Sequence, residues 1–421
     1  MAPDMIRLLV NIVSFLPSYT LTLLRQRVSA FFHKRSYKPL PDAQLKNVVV
    51  VGGSFAGFLT AKRLTETLPT GYRVVLVERS SHLNYLFAFP RFSVAKGYEK
   101  YGFIPYSGIA KNAPQGIFEH VQDTAVDVTE KAVVLKSGAE LEYECLLLAT
   151  GTSSTLPSKV ASTERGGALQ ELRGMQERIG QAKRIAVVGG GAVGVELASD
   201  IKDFFPEKEV ALIHSRAQLL PTFGKRLHEY VMGRMKELGV AVRLNERPEI
   251  PSEGNTLKFR NGEEETFGLI IPCTGQRPNS SILTTLSPSS ISNETSHILV
   301  KPTLQLQDDR LSHVFAIGDV AATGGPKMAR AAQFQGDVVV HNILSLMHDK
   351  KSLQSYKPKI VVEGAIKLTL GKARVVIYAM EESGKDMLIA SNSGKVDMDV
   401  KRQWRFFGAD TKAMEVESGK V

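Results

Sequence analysis

Two stretches of the chain repeat one pattern: an unbroken run of β-branched apolar residues, then glycines, then small residues opening a helix. The first is Val48-Val49-Val50-Val51-Gly52-Gly53-Ser54-Phe55-Ala56-Gly57. The second is Ile185-Ala186-Val187-Val188-Gly189-Gly190-Gly191-Ala192-Val193-Gly194. A continuous apolar run, rather than alternation, marks a strand buried on both faces of a parallel sheet. The glycines let the chain turn sharply and bring backbone N–H groups up to a pyrophosphate, while the next helix points its positive end at that anion. Each unit should supply a second strand about 20 residues on, ending at the ribose. In the first unit, Arg73-Val74-Val75-Leu76-Val77 runs into Glu78, a carboxylate suited to ribose hydroxyls. In the second, Glu209-Val210-Ala211-Leu212-Ile213 runs into His214-Ser215-Arg216, so the acid is missing and Arg216 suits a 2′-phosphate. The first cradle is therefore read as the FAD site. The second is read as the site of NADH or NADPH, with NADPH tolerated. The first turn carries Ser54 at the middle glycine position, where a small residue still admits a phosphate. The second matches G-x-G-x-x-G at Gly189, Gly191 and Gly194 and continues into Glu196 on the helix.

The same patterning divides the rest of the chain. Asn84–Tyr106, rich in aromatics and glycine, reads as a loop crossing the flavin. Ala125–Leu135 and Leu141–Leu148 read as a small strand layer. Two strands end in Thr-Gly, at Thr150-Gly151 and at Thr274-Gly275, an internal echo expected of one domain inserted in another. A further strand exits through Gly318-Asp319 into a small-residue helix that begins at Lys327. The terminal module has strand-like runs at 360–362 and 375–380, and its single Trp404 sits in an apolar cluster that is either core or a membrane-facing tip. The predicted fold is α/β, with two Rossmann-like dinucleotide-binding domains, the second inserted in the first, and an α+β C-terminal module. Its divisions are an N-terminal segment and linker at 1–43, the FAD domain at 44–157 and 281–345, the NAD(P)H domain at 158–280, and the module at 346–421.

The N-terminal segment changes the picture most. Met5–Leu24 is apolar apart from a few interruptions, Asn11 and Pro17 among them, and is followed by Arg25, Arg27, Lys34, Arg35 and Lys38. Its length is near the lower limit for a spanning helix. It fits three descriptions: a membrane-lying or spanning anchor with a basic flank, a basic acid-poor mitochondrial leader, or a segment packed on the enzyme body. Position 2 is not glycine, so N-myristoylation is excluded. The net charge of +10 reads as solubility plus a basic leader, or as attraction to an anionic membrane surface. No basic–aromatic motif for nucleic acid is evident. With only Cys145 and Cys273, and no Cys-x-x-Cys, neither a zinc ribbon nor a local redox disulfide is expected.

These motifs make the chain resemble the two-dinucleotide flavoproteins of the pyridine nucleotide-disulfide oxidoreductase superfamily, whose fold is glutathione-reductase-like. Within that group it is most similar to the ferroptosis suppressor proteins, also called apoptosis-inducing factor homologues associated with mitochondria. The resemblance runs from about Asn47 to the C-terminus. It rests on Gly52 to Gly57, Phe89-Pro90-Arg91-Phe92, Ala149-Thr150-Gly151, Gly189 to Gly194 and Ala316-Ile317-Gly318-Asp319. It implies non-covalent FAD, NAD(P)H as donor and a quinone-type acceptor; with the N-terminal segment read as an anchor or leader, the expected place is a membrane, on a mitochondrial or cytoplasmic face, and the expected partner a quinone or other small-molecule acceptor. It implies that Gly52, Gly53, Ser54, Phe55, Ala56 and Gly57 wrap the pyrophosphate and that Glu78 holds the adenosine ribose. Arg91 then sits by the flavin or its phosphates, Val121 presents backbone to adenine, and Asp319 bonds the ribityl or phosphate end. Lys327 stabilises negative charge on reduced flavin. Two other readings share these cofactors: a tailoring enzyme acting on a soluble small molecule, and a redox-sensing binding protein of the apoptosis-inducing-factor type.

Overall fold

The computed structural model describes residues 2–350 and 352–415. Two parallel sheets carry the architecture. The first has the strand order Val314–Ala316, Cys145–Leu148, Lys46–Val51, Tyr72–Val77, Phe118–Val121, all parallel. The second has the order Ala241–Arg243, Glu209–Ile213, Arg184–Val188, Leu269–Pro272, also parallel. Both central strands are fully buried along Val48–Val50 and Ile185–Val187, as their unbroken apolar runs require. In each sheet the chain leaves the central strand, builds neighbours to one side and returns on the other. The reversal puts a crevice at the C-terminal ends of the strands, where doubly wound folds bind their ligands.

Two short crossovers join the domains. Thr152–Ser153 pairs antiparallel with Arg277–Pro278. Thr150 Oγ donates to the Asn279 carbonyl (2.8 Å) and Asn279 returns its amide to the Thr150 carbonyl (2.8 Å). The echoing Thr-Gly strands are thus the exit and re-entry of an inserted domain. The strand layer at Ala125–Val128, Ala132–Leu135 and Glu140–Glu142 forms a three-stranded antiparallel sheet. The terminal module is built on another, Ile366–Thr369, Val375–Met380 and Asp386–Ser391.

Three expectations are corrected, and the choice left open for Trp404 falls on core. Asn84–Tyr106 is not an open loop: it holds the helical turn Phe89–Phe92 and a ribbon between His82–Asn84 and Phe103–Pro105, with Phe89, Phe92 and Phe103 wholly buried. Aromatic density here reflects core packing. Ile360–Glu363 is a single helical turn rather than a strand, pinned by Glu363, which is buried and accepts from Tyr356 Oη and the Lys359 N–H. Trp404 is core, with its indole N–H on the Tyr101 carbonyl (2.9 Å). The helix after Asp319 runs Ala329–Met347, so Lys327 lies in the turn before it.

The N-terminal segment forms one helix, Ala2–Ser36, that continues through Pro17. It lies along the body and is held from end to end. Asp4 pairs with Arg226, and Arg7 with Glu381 at 2.9 Å. Phe15 meets Phe334 edge-on, and the Lys359 ammonium lies over both rings. Gln26 bonds Asp337 and His33 Nε2 meets the Leu68 carbonyl. The opposite face stays apolar and exposed, through Ile6, Leu9, Val10, Val13, Leu24, Val28 and Phe32.

Candidate active site

The two glycine turns are built alike. Gly52 has φ +100° and Gly189 has φ +128°, and a Cβ on either would collide with the backbone carbonyl of the returning strand, Ala149 or Cys273. Only glycine meets both demands. The helices Phe55–Thr65 and Ala192–Phe204 start directly after the turns, and no described side chain caps either first turn. Their N–H groups are left for an anion. A Cβ on Gly191 would meet nothing within 4 Å, which leaves open space above the second turn. Both cradles therefore fit a dinucleotide pyrophosphate.

The partners at the strand ends differ. Glu78 Oε2 accepts the Gly53 N–H (2.6 Å) and Oε1 accepts that of Ser80 (2.8 Å), so the carboxylate is fixed against the first turn. At the matching place in the second unit, His214 Nδ1 accepts the Gly190 N–H (3.0 Å). Burial, with Arg216 nearby, lowers the pKa of His214 below the usual histidine range, so a neutral ring replaces the acid at neutral pH. Gly275 lies at the mouth of the second cradle beyond Cys273.

Around the first cradle, Val121 ends the strand beside Val77, and its carbonyl accepts the N–H groups of Glu78 and Asp123. The Gly318 N–H donates to Gln335 Oε1 (2.9 Å). Lys327 donates to the carbonyls of Gly318 and Ala321. Burial lowers its pKa and Asp319 opposes that shift. Two residues here went unread in the sequence. The ring of Tyr106 covers Gly53, and the half-buried Lys159 donates to the Thr152 carbonyl within the field of Asp319 and Glu78. Neither lies in a glycine-turn motif; Tyr106 ends the aromatic segment expected across the flavin, and only the tertiary fold brings in Lys159.

A cleft of about 1340 Å³ runs from Gly189–Gly191, past His214–Arg216, to Lys327 and Met328 and the module residues Tyr378 and Met380. Lys327 therefore faces the second cradle as well as the first, which is the arrangement needed to bring two cofactors together.

Arg91 and Glu196 are placed elsewhere than expected. The Arg91 guanidinium is buried, bonded to Asp200 (2.7 Å) and the Gly371 carbonyl (2.7 Å) rather than free for a phosphate. Glu196 is half-buried and accepts both the N–H and the Oγ–H of Thr369 (2.8 and 3.1 Å). Both tie the inserted domain to the terminal module. Burial pushes the Glu196 carboxyl up to about 7, helped by Asp200 and opposed by Thr369 and Arg91. A carboxyl whose folded pKa lies above its unfolded value near 4.5 favours the fold in its protonated form. That contribution is complete below about 4.5 and is lost as the pH rises through about 7. The free energy of unfolding from denaturant titrations should fall between pH 5 and pH 8, by on the order of 3 kcal/mol from this site. Glu196→Gln should flatten the profile, leaving the slope due to Asp200, itself pushed up to about 6 by burial. An unchanged slope in the variant would show that Glu196 is not the titrating group.

The profile of the pyridine nucleotide-disulphide oxidoreductase family matches residues 46–336. The fold, the paired cradles and that match define a two-dinucleotide flavoprotein oxidoreductase, and the chain belongs to the pyridine nucleotide-disulphide oxidoreductase family. Its relatives include Fe-regulated protein 8 of Mycosarcoma maydis, 35% identical over 88% of this chain and 97% of that protein. Human ferroptosis suppressor protein 1 is 32% identical over 78% of this chain and 86% of its own length. Among solved structures, the sulfide:quinone oxidoreductase of Aquifex aeolicus superposes with a TM-score of 0.69 at 16% identity, covering 86% of this chain and 90% of that one. The family's cofactors are FAD and NAD(P)H.

Proposed function

We propose that this protein is an NAD(P)H:quinone oxidoreductase working at a membrane surface, with FAD in the first cradle and the nicotinamide dinucleotide in the second. Bound FAD supplies hydride acceptance from the nicotinamide and electron delivery to the acceptor. The chain's own residues bind and orient. The Gly52–Gly57 and Gly189–Gly194 turns hold the two pyrophosphates, and Glu78 holds the first ribose. The paired segments Thr152–Ser153 and Arg277–Pro278 fix the inserted domain against the first. Lys327, tethered through its ammonium to the Gly318 and Ala321 carbonyls, keeps a positive charge where negative charge develops on the flavin.

The observation that carries the membrane and quinone reading is the outward face of the helix Ala2–Ser36. Its inward face is bonded to the body from Asp4 to His33. Crossing a bilayer would break those bonds, so the helix lies in the plane of the membrane surface. Its apolar stripe enters the lipid, and Arg25, Arg27 and Lys34 meet anionic headgroups. That seats the enzyme where long-tailed quinones reside. Val10→Glu with Val13→Glu places charge on the two most exposed valines of the stripe, 62% and 63% exposed. The pair should abolish co-sedimentation with phosphatidylcholine–phosphatidylserine vesicles and cut turnover of a long-tailed quinone about tenfold, with a soluble dye reduced at the normal rate. Equal losses for both acceptors would contradict the reading.

A further inference from the structure

We infer that Arg216, Arg247 and Arg260 form a seat for a phosphate on the 2′ position of the adenosine ribose, making NADPH the preferred donor. This rests on the reading that the second cradle takes NAD(P)H and adds which of the two it selects.

Three separated segments bring the arginines together. The Arg216 carbonyl accepts the Asn245 N–H, and the His214 carbonyl accepts that of Glu246, so the 214–216 and 245–247 turns run side by side. The Glu249–Lys258 bridge then folds the hairpin carrying Arg260 back against them. All three arginines line the cleft next to Gly190 and His214, and among the described residues none of them has an ion-pair partner. Their neighbours show the contrast: Arg184 and Arg243 on the same sheet both pair with Glu265.

The charge pattern selects between the two donors. A nicotinamide dinucleotide without the extra phosphate offers a vicinal diol at this place, which calls for an acceptor such as the carboxylate in the position of Glu78. Here that position is His214, tied to the Gly190 N–H. The single carboxylate among the described lining residues is Glu246, against four cations, Arg216, Arg247, Arg260 and Lys327. Three guanidinium groups with no ion-pair partner among the described residues suit a dianionic phosphate, with which they form charge-assisted, often bidentate bonds.

The probes are 2′,5′-ADP and 5′-ADP, titrated calorimetrically into the flavin-loaded protein, alongside anaerobic flavin bleaching by NADPH and NADH. In the wild type, 2′,5′-ADP should bind about 10- to 100-fold more tightly than 5′-ADP, with the excess falling as salt rises. Arg247→Gln/Arg260→Gln should erase most of that excess while 5′-ADP affinity holds within about threefold. The bleaching preference for NADPH should collapse in parallel. Both positions are exposed, so unchanged flavin content checks that the variant is folded. Equal affinity of the wild type for the two probes, or equal weakening of both in the variant, overturns the inference while leaving the cleft as a nucleotide site. Failure of both probes to bind, with no bleaching by either donor, overturns the reading of the cleft itself. Glu246→Gln separates the two donors independently: a loss of NADH bleaching alone would place a ribose diol on Glu246 and count against the phosphate seat.

Discussion

Gly189→Ala should yield a protein that keeps its flavin yet is hardly bleached by NADPH or NADH. The residue stands at φ +128°, and its missing Cβ lets the turn close on the Cys273 carbonyl. Alanine meets a backbone penalty of about 1–3 kcal/mol and forces the turn away from the strand. The N–H groups aimed at the pyrophosphate then lose their common focus. The donor concentration for half-maximal bleaching should rise about 10- to 100-fold, while the flavin spectrum before mixing stays normal. The equivalent change in the first cradle, Gly52→Ala, acts at φ +100° against the Ala149 carbonyl and should give a colourless protein instead. The pair assigns each cradle to its cofactor. Loss of flavin from the Gly189 variant, with retention in the Gly52 variant, would reverse the assignment.

The second large effect concerns stability. Arg91 and Asp200 are 1% and 0% exposed, and their pair joins the Phe89–Phe92 turn of the first domain to the helix Ala192–Phe204 of the inserted one. A second bond, to the Gly371 carbonyl, brings in the terminal module. Arg91→Met strands Asp200 in an apolar junction, where burial already pushes its carboxyl up to about 6 against the pull of Arg91. Breaking one side of such a pair costs about 3–5 kcal/mol. The midpoint of thermal unfolding should drop accordingly. Arg91→Met/Asp200→Leu should recover a large part of the loss, because no charge is then left unpaired. A double variant as unstable as the single one would show that Arg91 acts through packing alone.

The dinucleotide-binding turns were readable because their demands are local. Apolar strand, glycine at positive φ and helix start all fall within ten residues, and the ribose position follows at fixed spacing. The missing acid at His214 was visible for the same reason. What was hidden depends on contacts distant in sequence. Arg91 finds Asp200 across 109 positions, and Glu196 finds Thr369 across 173, so a residue suited to a phosphate or a flavin became a joint between domains. Arg247 and Arg260 carry no motif, and only the side-by-side turns place them with Arg216. The N-terminal helix shows a different limit. Asn11 and Pro17 suggested an interrupted run, yet Asn11 bonds back to the Arg7 carbonyl (3.0 Å), and the packed body supports the helix through the proline. Lys327 was placed on the wrong side of a helix start because the residues from 327 to 333 are all compatible with helix. The Gly318 and Ala321 carbonyls that hold its ammonium are what keep it in the turn.

The most direct test of the account is anaerobic stopped-flow absorbance of the flavin in the full-length protein, mixed first with NADPH and then with a ubiquinone analogue in vesicles. The account predicts rapid bleaching followed by rapid return of the oxidised spectrum on addition of the quinone. Rapid bleaching that the quinone fails to reverse would contradict it.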